Sequence, residues 1–415
     1  MAADNETPLV VYLEAKQDRA ITKIKSWSID SDFLVSTDGF EFTAVDADLD
    51  ELRQLECEPV RLTVGGALQL VGRIDQSSRG DDGLAVTYSG RDYISDMVEC
   101  NIDPTFVIKE KQTLGEALIA GCAPIGIKFI ADESDVNVLI DIRQGIPGKT
   151  KRRRGKGKSG GKNAGGNRSK DFKEASLEDL KPDIGQGMYQ FFSPLCARHG
   201  CTIQPTHLRD TLYRGGPYYD QEPQFTIIRM RKDENNVNNV VSASARRDFS
   251  SIPSMIITQG QGAPRSGEKI TKSNLILDTW FEAGAFGGEL GDILGRLPFS
   301  GRRLPGTTEE LPVDRFYRLN VFRDDKAKNE DQVENAQRRL FADHLKRSLE
   351  YRVRLRGHID PNTGAIWTID TIVYVHDEVC DILGEELWVQ ARKLSYGPQG
   401  AFTELTCIRP GSFEI

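Results

Sequence analysis

The sequence predicts a mainly β chain with a mixed α+β section between two β-rich ends. Three observations carry this reading. Residues 8–92 form closely spaced short strand patterns punctuated by Gly turns, which argues for a small barrel or sandwich. After Cys100 the apolar spacing turns helical, and from about Asn239 strands return around one long helix. The 415 residues exceed what one hydrophobic core usually holds. They divide into a first β module at 1–100, a middle α+β module at 101–235 and a second β module at 236–415.

In the first module Leu9–Leu13 is a β-rich run. Over Lys23–Ile29, Trp27 and Ile29 oppose Ile24, Ser26 and Ser28. Phe40, Phe42 and Ala44 share one face of Phe40–Val45. Val60–Val64 passes through Gly65-Gly66 into Leu68–Val71, a hairpin signal, and Gly80 and Gly83 precede Leu84–Tyr88. In the middle module Thr113 and Glu116 form a capping box for a helix carrying Leu114, Ala117 and Leu118, which Pro124 and Gly126 end. Ile127–Ile130 and Val136–Ile142 follow as strands. A second helix is expected from about Asp183, with Ile184, Met188, Phe191 and Leu195 at helical spacing and Pro194 kinking or splitting it. Cys201–Gln204 and Gln224–Met230 are strand candidates.

In the last module Val240–Ala245 and Met255–Gly260 read as strands, and the Gly/Pro-rich stretch 261–312 as an excursion with no clear periodic element. The helix expected at 331–351 has an apolar sector of Ala336, Leu340, Phe341, Leu345 and Leu349. Strands are expected at Trp367–Ile369, Ile372–Val375, Leu387–Leu394 and Phe402–Ile408.

Composition is that of a globular protein, 38% hydrophobic and 28% charged. No run of about 18 apolar residues is present, so no membrane insertion is expected. The opening MAADNETPLVVYLEAK does not read as a signal peptide. Seven scattered cysteines (57, 100, 122, 196, 201, 380 and 407) read as reduced, mostly buried thiols. The net charge of −8 hides an asymmetry: residues 149–170 hold ten Lys and Arg and no acid. Outside them 44 bases face 62 acids, a net of −18.

That basic tract has no apolar anchor except Ala164 and is expected to be a mobile insertion. Three roles are open to it: a solvated loop, a contact with acidic neighbours, or nonspecific nucleic-acid binding. Lys151, Arg152, Arg153, Arg154, Lys156 and Lys158 are the candidate contacts. With no aromatic residue, the tract offers no stacking platform for single strands.

No constellation supports catalysis, a cofactor or a metal. Gly148-Lys149-Thr150 and Gly157-Lys158-Ser159 imitate the end of a phosphate loop, but Arg143 and Arg152 stand where its first Gly is required. Cys196, His199 and Cys201, with His207 nearby, lack a second ligand pair at zinc spacing and read as a helix end with buried thiols. Nothing distinguishes a pair such as Glu56 and Glu58 for glycosidase chemistry.

The segments Val71–Asp92 and Val389–Pro410 echo one another in length and turn placement, with Val71/Val389, Ser77/Ser395 and Arg91/Arg409 in common, which suggests related β modules at the two ends. Four stretches carry a family resemblance: GRDYISDMVECNI at 90–102, FEFTAVDADLDELRQLECEPVRLTVGGALQLVGRID before it, GMYQFFSPLCARHGCTIQP, and ENNVNNVVSASARRDFSSIPSMIITQGQG. Their order and spacing resemble the baseplate hub proteins of Mu-type phages. The late control D proteins of P2-like phages and the hubs of related injection systems belong to the same group. The tracts at 149–170 and 261–312 depart from the family pattern as insertions.

The resemblance implies a structural protein, not an enzyme, with two tail-tube-like barrel modules per chain. It further implies a homotrimer whose pseudo-six-fold ring joins a hexameric tail tube to a trimeric central spike. Other baseplate proteins would be neighbours, and a lumen would pass DNA or cargo. The implied setting is the virion tail baseplate, assembled in the host cytoplasm. The alternatives from other classes are a tail-associated cell-wall hydrolase with an unrecognised site and a nucleic-acid-binding module built on 149–170.

Overall fold

The computed structural model describes residues 8–14, 19–45, 55, 57–79, 85–108, 114–130, 181–198, 202–205, 211–215, 217–232, 238–248, 250, 253, 255–260, 271–275, 299–303, 310–312, 319–324 and 330–413. The chain divides into two compact units. One comprises Pro8–Lys25 and Val35–Gly216, the other Ser26–Leu34 and Pro217–Ile415.

The first unit begins with β1 (Leu9–Leu13), β2 (Arg19–Ile21) and the foot of β3 (Ile24–Asp32), and continues with β4 (Gly39–Val45), β5 (Pro59–Val64), β6 (Ala67–Arg79) and β7 (Ala85–Asp92). Its antiparallel sheet runs β4-β7-β6-β5-β1-β2. The expected alternation is realised: Phe40, Phe42, Ala44, Val60, Leu62, Val64, Val86 and Tyr88 are all buried. The β5–β6 turn places both central residues at positive φ, Gly65 at 59° and Gly66 at 84°, a twist that glycine adopts without strain.

Beyond β7 lie α1 (Ile94–Glu99), α2 (Leu114–Cys122), β8 (Lys128–Ile130), α3 (Met188–Arg198), β9 (Thr202–Pro205) and β10 (Thr211–Gly215). The three strands form a small sheet, β8-β10-β9. Met97, Leu118, Phe191, Phe192, Leu195 and Ile203 share one core with the helices. Gly126, at φ 73°, ends the 3₁₀ turn that closes α2, as the Pro-Gly pattern requires. Thr113 of the expected capping box and the strand expected at Val136–Ile142 lie outside the described residues.

The second helix starts at Met188, not near Asp183. Met188 N–H donates to the Cys100 carbonyl at 2.8 Å and Ile102 N–H to the Gln186 carbonyl at 3.0 Å, so the chain before the helix is held extended by pairing. Gly185 takes φ 81°, which a helix forbids, and Ile184 is 93% exposed. Pro194 does not split the helix, which continues to Arg198. Pro194 itself is exposed on the helix.

The second unit contains Ser26–Asp32 of β3, then β11 (Phe225–Arg229), β12 (Val240–Arg246), β13 (Met255–Gly260), β14 (Thr271–Leu275), β15 (Phe299–Arg303), β16 (Glu310–Pro312) and β17 (Leu319–Asp324). After α4 (Glu330–Ser348) come β18 (Glu350–Arg356), β19 (Ile372–Asp377), β20 (Ile382–Gly397) and β21 (Gly400–Ile408). The main sheet runs β12-β18-β21-β20. On its other edge β20 has two partners, β19 along Ile382–Trp388 and β3 along Ala391–Tyr396. β11 pairs in parallel with β19. It falls inside the 101–235 span read as the middle module, yet it completes this sheet. A second sheet, β14-β13-β17, carries α4, whose Gln337 amide donates to the Ile256 carbonyl at 3.0 Å.

Three expectations for this unit are corrected. The long helix stops at Ser348, because Glu350–Arg356 alternates buried and exposed residues and is paired on both edges. Within the helix Leu345 is buried, while Leu340 and Phe341 are only half-buried. Trp367–Ile369 is not a strand: Trp367 plugs the core from the connection between the Ile359–Ile366 bridge and β19. The stretch 261–312 holds three strands that lack an apolar alternation and that pairing partners define.

The two main sheets share a plan. Read across, one is β1-β5-β6-β7-β4 and the other β11-β19-β20-β21-β18, so the five strands occupy the same places in the same chain order. Each long central strand skips two residues against its neighbours. In β6 Gln69 is skipped opposite β5 and Asp75 opposite β7. In β20 Gly384 is skipped opposite β19 and Gln390 opposite β21. Residues 69 and 75 are spaced as 384 and 390 are, so one register relates both bulges. One contrast is that β1 lies antiparallel to β5 while β11 lies parallel to β19. The echo seen in sequence therefore falls on matching hairpins with the wrong residues aligned: Ile74, not Val71, is the counterpart of Val389.

Both sheets are open, and no closed barrel is formed among the described residues. In the second unit two asparagine amides tie the end strands together. Asn239 Nδ2 donates to the Thr226 carbonyl at 2.8 Å and its Oδ1 accepts from Ile228 N–H at 3.0 Å. Asn238 makes the same pair of bonds with Met230.

Candidate functional site

The six bases proposed as contacts, Lys151, Arg152, Arg153, Arg154, Lys156 and Lys158, lie outside the described residues, as do His199, Cys201, His207, Glu56 and both phosphate-loop imitations. Cys196 is buried in the helical core of the first unit. Among the described residues no three His, Cys, Asp or Glu side chains gather as a metal site.

The polar chemistry of the second unit is concentrated where β3 docks on β20. Six register pairs, from Ala391–Asp32 to Tyr396–Trp27, join segments more than 350 residues apart in sequence. Phe33 N–H extends the ladder to the Gln390 carbonyl at 2.9 Å, and the Gln390 amide donates to Asp32 Oδ1 at 3.2 Å. Gln390 is the residue skipped by the bulge, which frees its backbone carbonyl and side chain for β3.

Beneath the ladder Arg392, 5% exposed, donates to the Trp367 carbonyl at 2.7 Å and to Ser31 Oγ at 3.4 Å. The His358 ring lies 4.8 Å from Trp27, with Nε2 3.0 Å from the Ser395 carbonyl. Burial, aided by the Arg392 charge, holds His358 below the usual histidine range against the opposing pull of its carbonyl contacts. Next to the joint Phe33 meets Trp388 edge-on at 5.1 Å, and Trp388 Nε1 donates to Asp370 Oδ1 at 2.8 Å. On the outer face Lys393 reaches Asp30 at 3.2 Å, a solvent-screened pair of little energetic weight.

A second buried group organises the β19–β20 turn. Asp377 is fully buried and accepts from Tyr351 Oη and from the Val379 and Cys380 N–H groups, each at 2.9 Å. Burial first, then Asp377, push the Tyr351 hydroxyl upward, and burial likewise raises the Cys380 thiol. A carboxylate saturated by internal donors beside a protonated phenol and thiol is an anchor for a turn and contains no activated nucleophile. In the first unit Asp92 plays a similar part: Oδ2 accepts from Asp38 N–H at 2.8 Å and Oδ1 from Ile94 N–H at 3.1 Å, where α1 begins. Burial and then the Asp38 charge push the Asp92 carboxyl well above the usual carboxylate pKa range.

Sequence reasoning marked none of Arg392, His358, Asp377 or Asp92. The partners of Arg392 and His358 come from strands brought together by the fold, and a single sequence carries no signal for that pairing. What the structure assembles is thus a set of strand joints and turn anchors.

This plan is the fold of phage tail proteins. The structure matches the tail protein from Neisseria meningitidis MC58 with a TM-score of 0.65 at 17% identity, over 98% of this chain and 97% of that one. It matches the prophage MuSo2 43 kDa tail protein from Shewanella oneidensis with a TM-score of 0.65 at 15% identity, over 98% and 99%. The prophage tail protein gp18 from Listeria monocytogenes EGD-e follows with a TM-score of 0.51 at 11% identity, over 96% and 94%. No family model and no curated protein matches the sequence.

Proposed function

We propose that the chain is a structural hub protein of a phage-type tail baseplate and not an enzyme. Three copies form a ring, each contributes two similar β modules, and the resulting pseudo-six-fold collar joins a hexameric tail tube to a trimeric central spike around a lumen for DNA or cargo. The observation that carries the reading is the strand plan repeated in both units with the same pair of bulges. A chain that holds one module twice can meet a six-fold partner on one side and a three-fold partner on the other. The likeness to tail proteins over nearly the full length supports it.

In this reading the first β module spans 1–100, the α+β module 101–235 and the second β module 236–415. Each β module is a tail-tube-like barrel that neighbouring chains complete in the ring. The setting is the virion tail baseplate, assembled in the host cytoplasm among other baseplate proteins. The six bases from Lys151 to Lys158 contact acidic neighbours or passing DNA through charge alone. Such binding to a DNA duplex would fall steeply between about 50 and 200 mM salt.

Light scattering of the full chain tests the reading, with three times 46.3 kDa expected. Particle images should show a three-fold ring with an open centre. A two-fold assembly would overturn it.

A further inference from the structure

We infer that a second copy of this chain adds the outer half of its β6, Gln76–Arg79, to the open edge of β12. This names the joint between subunits in the ring reading and rests on that reading. The first observation is β12 itself. It ends its sheet, laddered only with β18 among the described residues; the asparagine clamp to β11 and a bulge at Val241 occupy its start, and from Ser242 to Arg246 it has no proline and no inward charge to protect the edge. Ala243 and Ala245 face the core, while Ser242, Ser244 and Arg246 face outward and Val241 is 46% exposed. A strand edge of this kind is a template for another strand.

The second observation is an internal template that selects the occupant. β18 and β4 are counterparts in the two sheets. β12 flanks β18, and the Lys23 carbonyl, just before β3, accepts from Val45 N–H, at the end of β4, at 3.0 Å. β3 is therefore the counterpart of β12. In the second unit β3 lies antiparallel along Ala391–Tyr396, the half of β20 beyond the Gln390 bulge. The shared register makes Gln76–Arg79 of β6, beyond the Asp75 bulge, the counterpart of that half. The side chains of Asp75–Arg79 are exposed, and β6 runs here past the end of its pairing with β5 at Arg73.

What β3 does to β20 within one chain, β12 can repeat on β6 of the next. The bulge has the same purpose in both places, turning the outer half of the long strand away from one neighbour and toward another. The two surfaces differ, so a single contact is head-to-tail, and three such contacts would join the ring of the proposed function. In this register Ser78 takes the place of Lys393, on the outer face, and should lie beside an outward residue of β12.

The test uses full-length chains that carry one introduced cysteine each in a Cys57→Ser background, since Cys57 is exposed. A Ser78→Cys chain is mixed in equal amounts with a Ser242→Cys, Ser244→Cys or Arg246→Cys chain and oxidised. A covalent pair is expected with one of the three, while a Val321→Cys chain, exposed on the other sheet, gives none. The variants alter exposed side chains, and thermal melting matched to the parent checks folding. Oligomers by light scattering without any β6–β12 disulfide would overturn this joint and leave the ring reading standing. A monomer at every concentration would overturn both.

Discussion

At the scale of single residues, buried polar groups and close approaches hold the two sheets. Tyr351→Phe removes the phenol that donates to buried Asp377 and should cost about 1–3 kcal/mol, read by denaturant unfolding. In the first unit a Cβ on Gly90 would stand 2.0 Å from the Arg73 carbonyl oxygen and 2.5 Å from the Phe40 ring. Gly90→Ala should therefore lower stability by about 1–3 kcal/mol, since neither backbone nor ring can yield without disturbing the β6–β7 ladder. His358 gives a pH signature. Its folded value is held below the unfolded one, so the unfolded chain takes up a proton first as pH falls. Stability from this group is complete above the unfolded value, near 6.5, and is lost on acidification toward the folded value. His358→Gln should flatten the fall in melting temperature between about pH 7 and 5. An unchanged slope would place the acid sensitivity elsewhere.

At the scale of elements, α4 and the bulged strands decide the architecture. The helix buries Val333, Ala336, Leu345 and Ser348, and its Gln337 bonds the β13 backbone. Leu345→Ala should cost about 2–5 kcal/mol, and Leu340→Ala markedly less because Leu340 is half-buried. Equal losses would mean that the apolar sector read from periodicity, rather than the observed face, is the packed one. Bulges matter because side chains alternate along a strand. Deleting Gln390 would remove the bulge, leave Arg392 and Leu394 inward, and take away the carbonyl and amide that hold Phe33 and Asp32, so the β3 joint should loosen, seen as earlier proteolysis at β3.

At the scale of the whole molecule, a chain of two compact units should not unfold in one step. Calorimetry is expected to show two transitions, with Tyr351→Phe displacing one and Gly90→Ala the other. A single transition displaced equally by both substitutions would mean that the units melt together. The repeated strand plan gives this level its meaning. The same strand plan with the same pair of bulges occurs in both units.

The sequence by itself determined which residues alternate and where glycine breaks the chain. Phe40–Val45, Val60–Val64 with Gly65-Gly66, and Leu387–Leu394 were legible because strand periodicity and turn conformation are local properties. It also suggested related modules, though on misaligned residues, since strand register is fixed by partners and not by identity. Only the tertiary structure decided that Glu350–Arg356 is a strand rather than the end of a helix, that Ile184 is outside its helix, and that Ser31 meets Arg392. Each of these depends on a hydrogen-bonding partner distant in the chain. A backbone segment takes the conformation that satisfies its polar groups, and the sequence of that segment does not name the groups that will satisfy them.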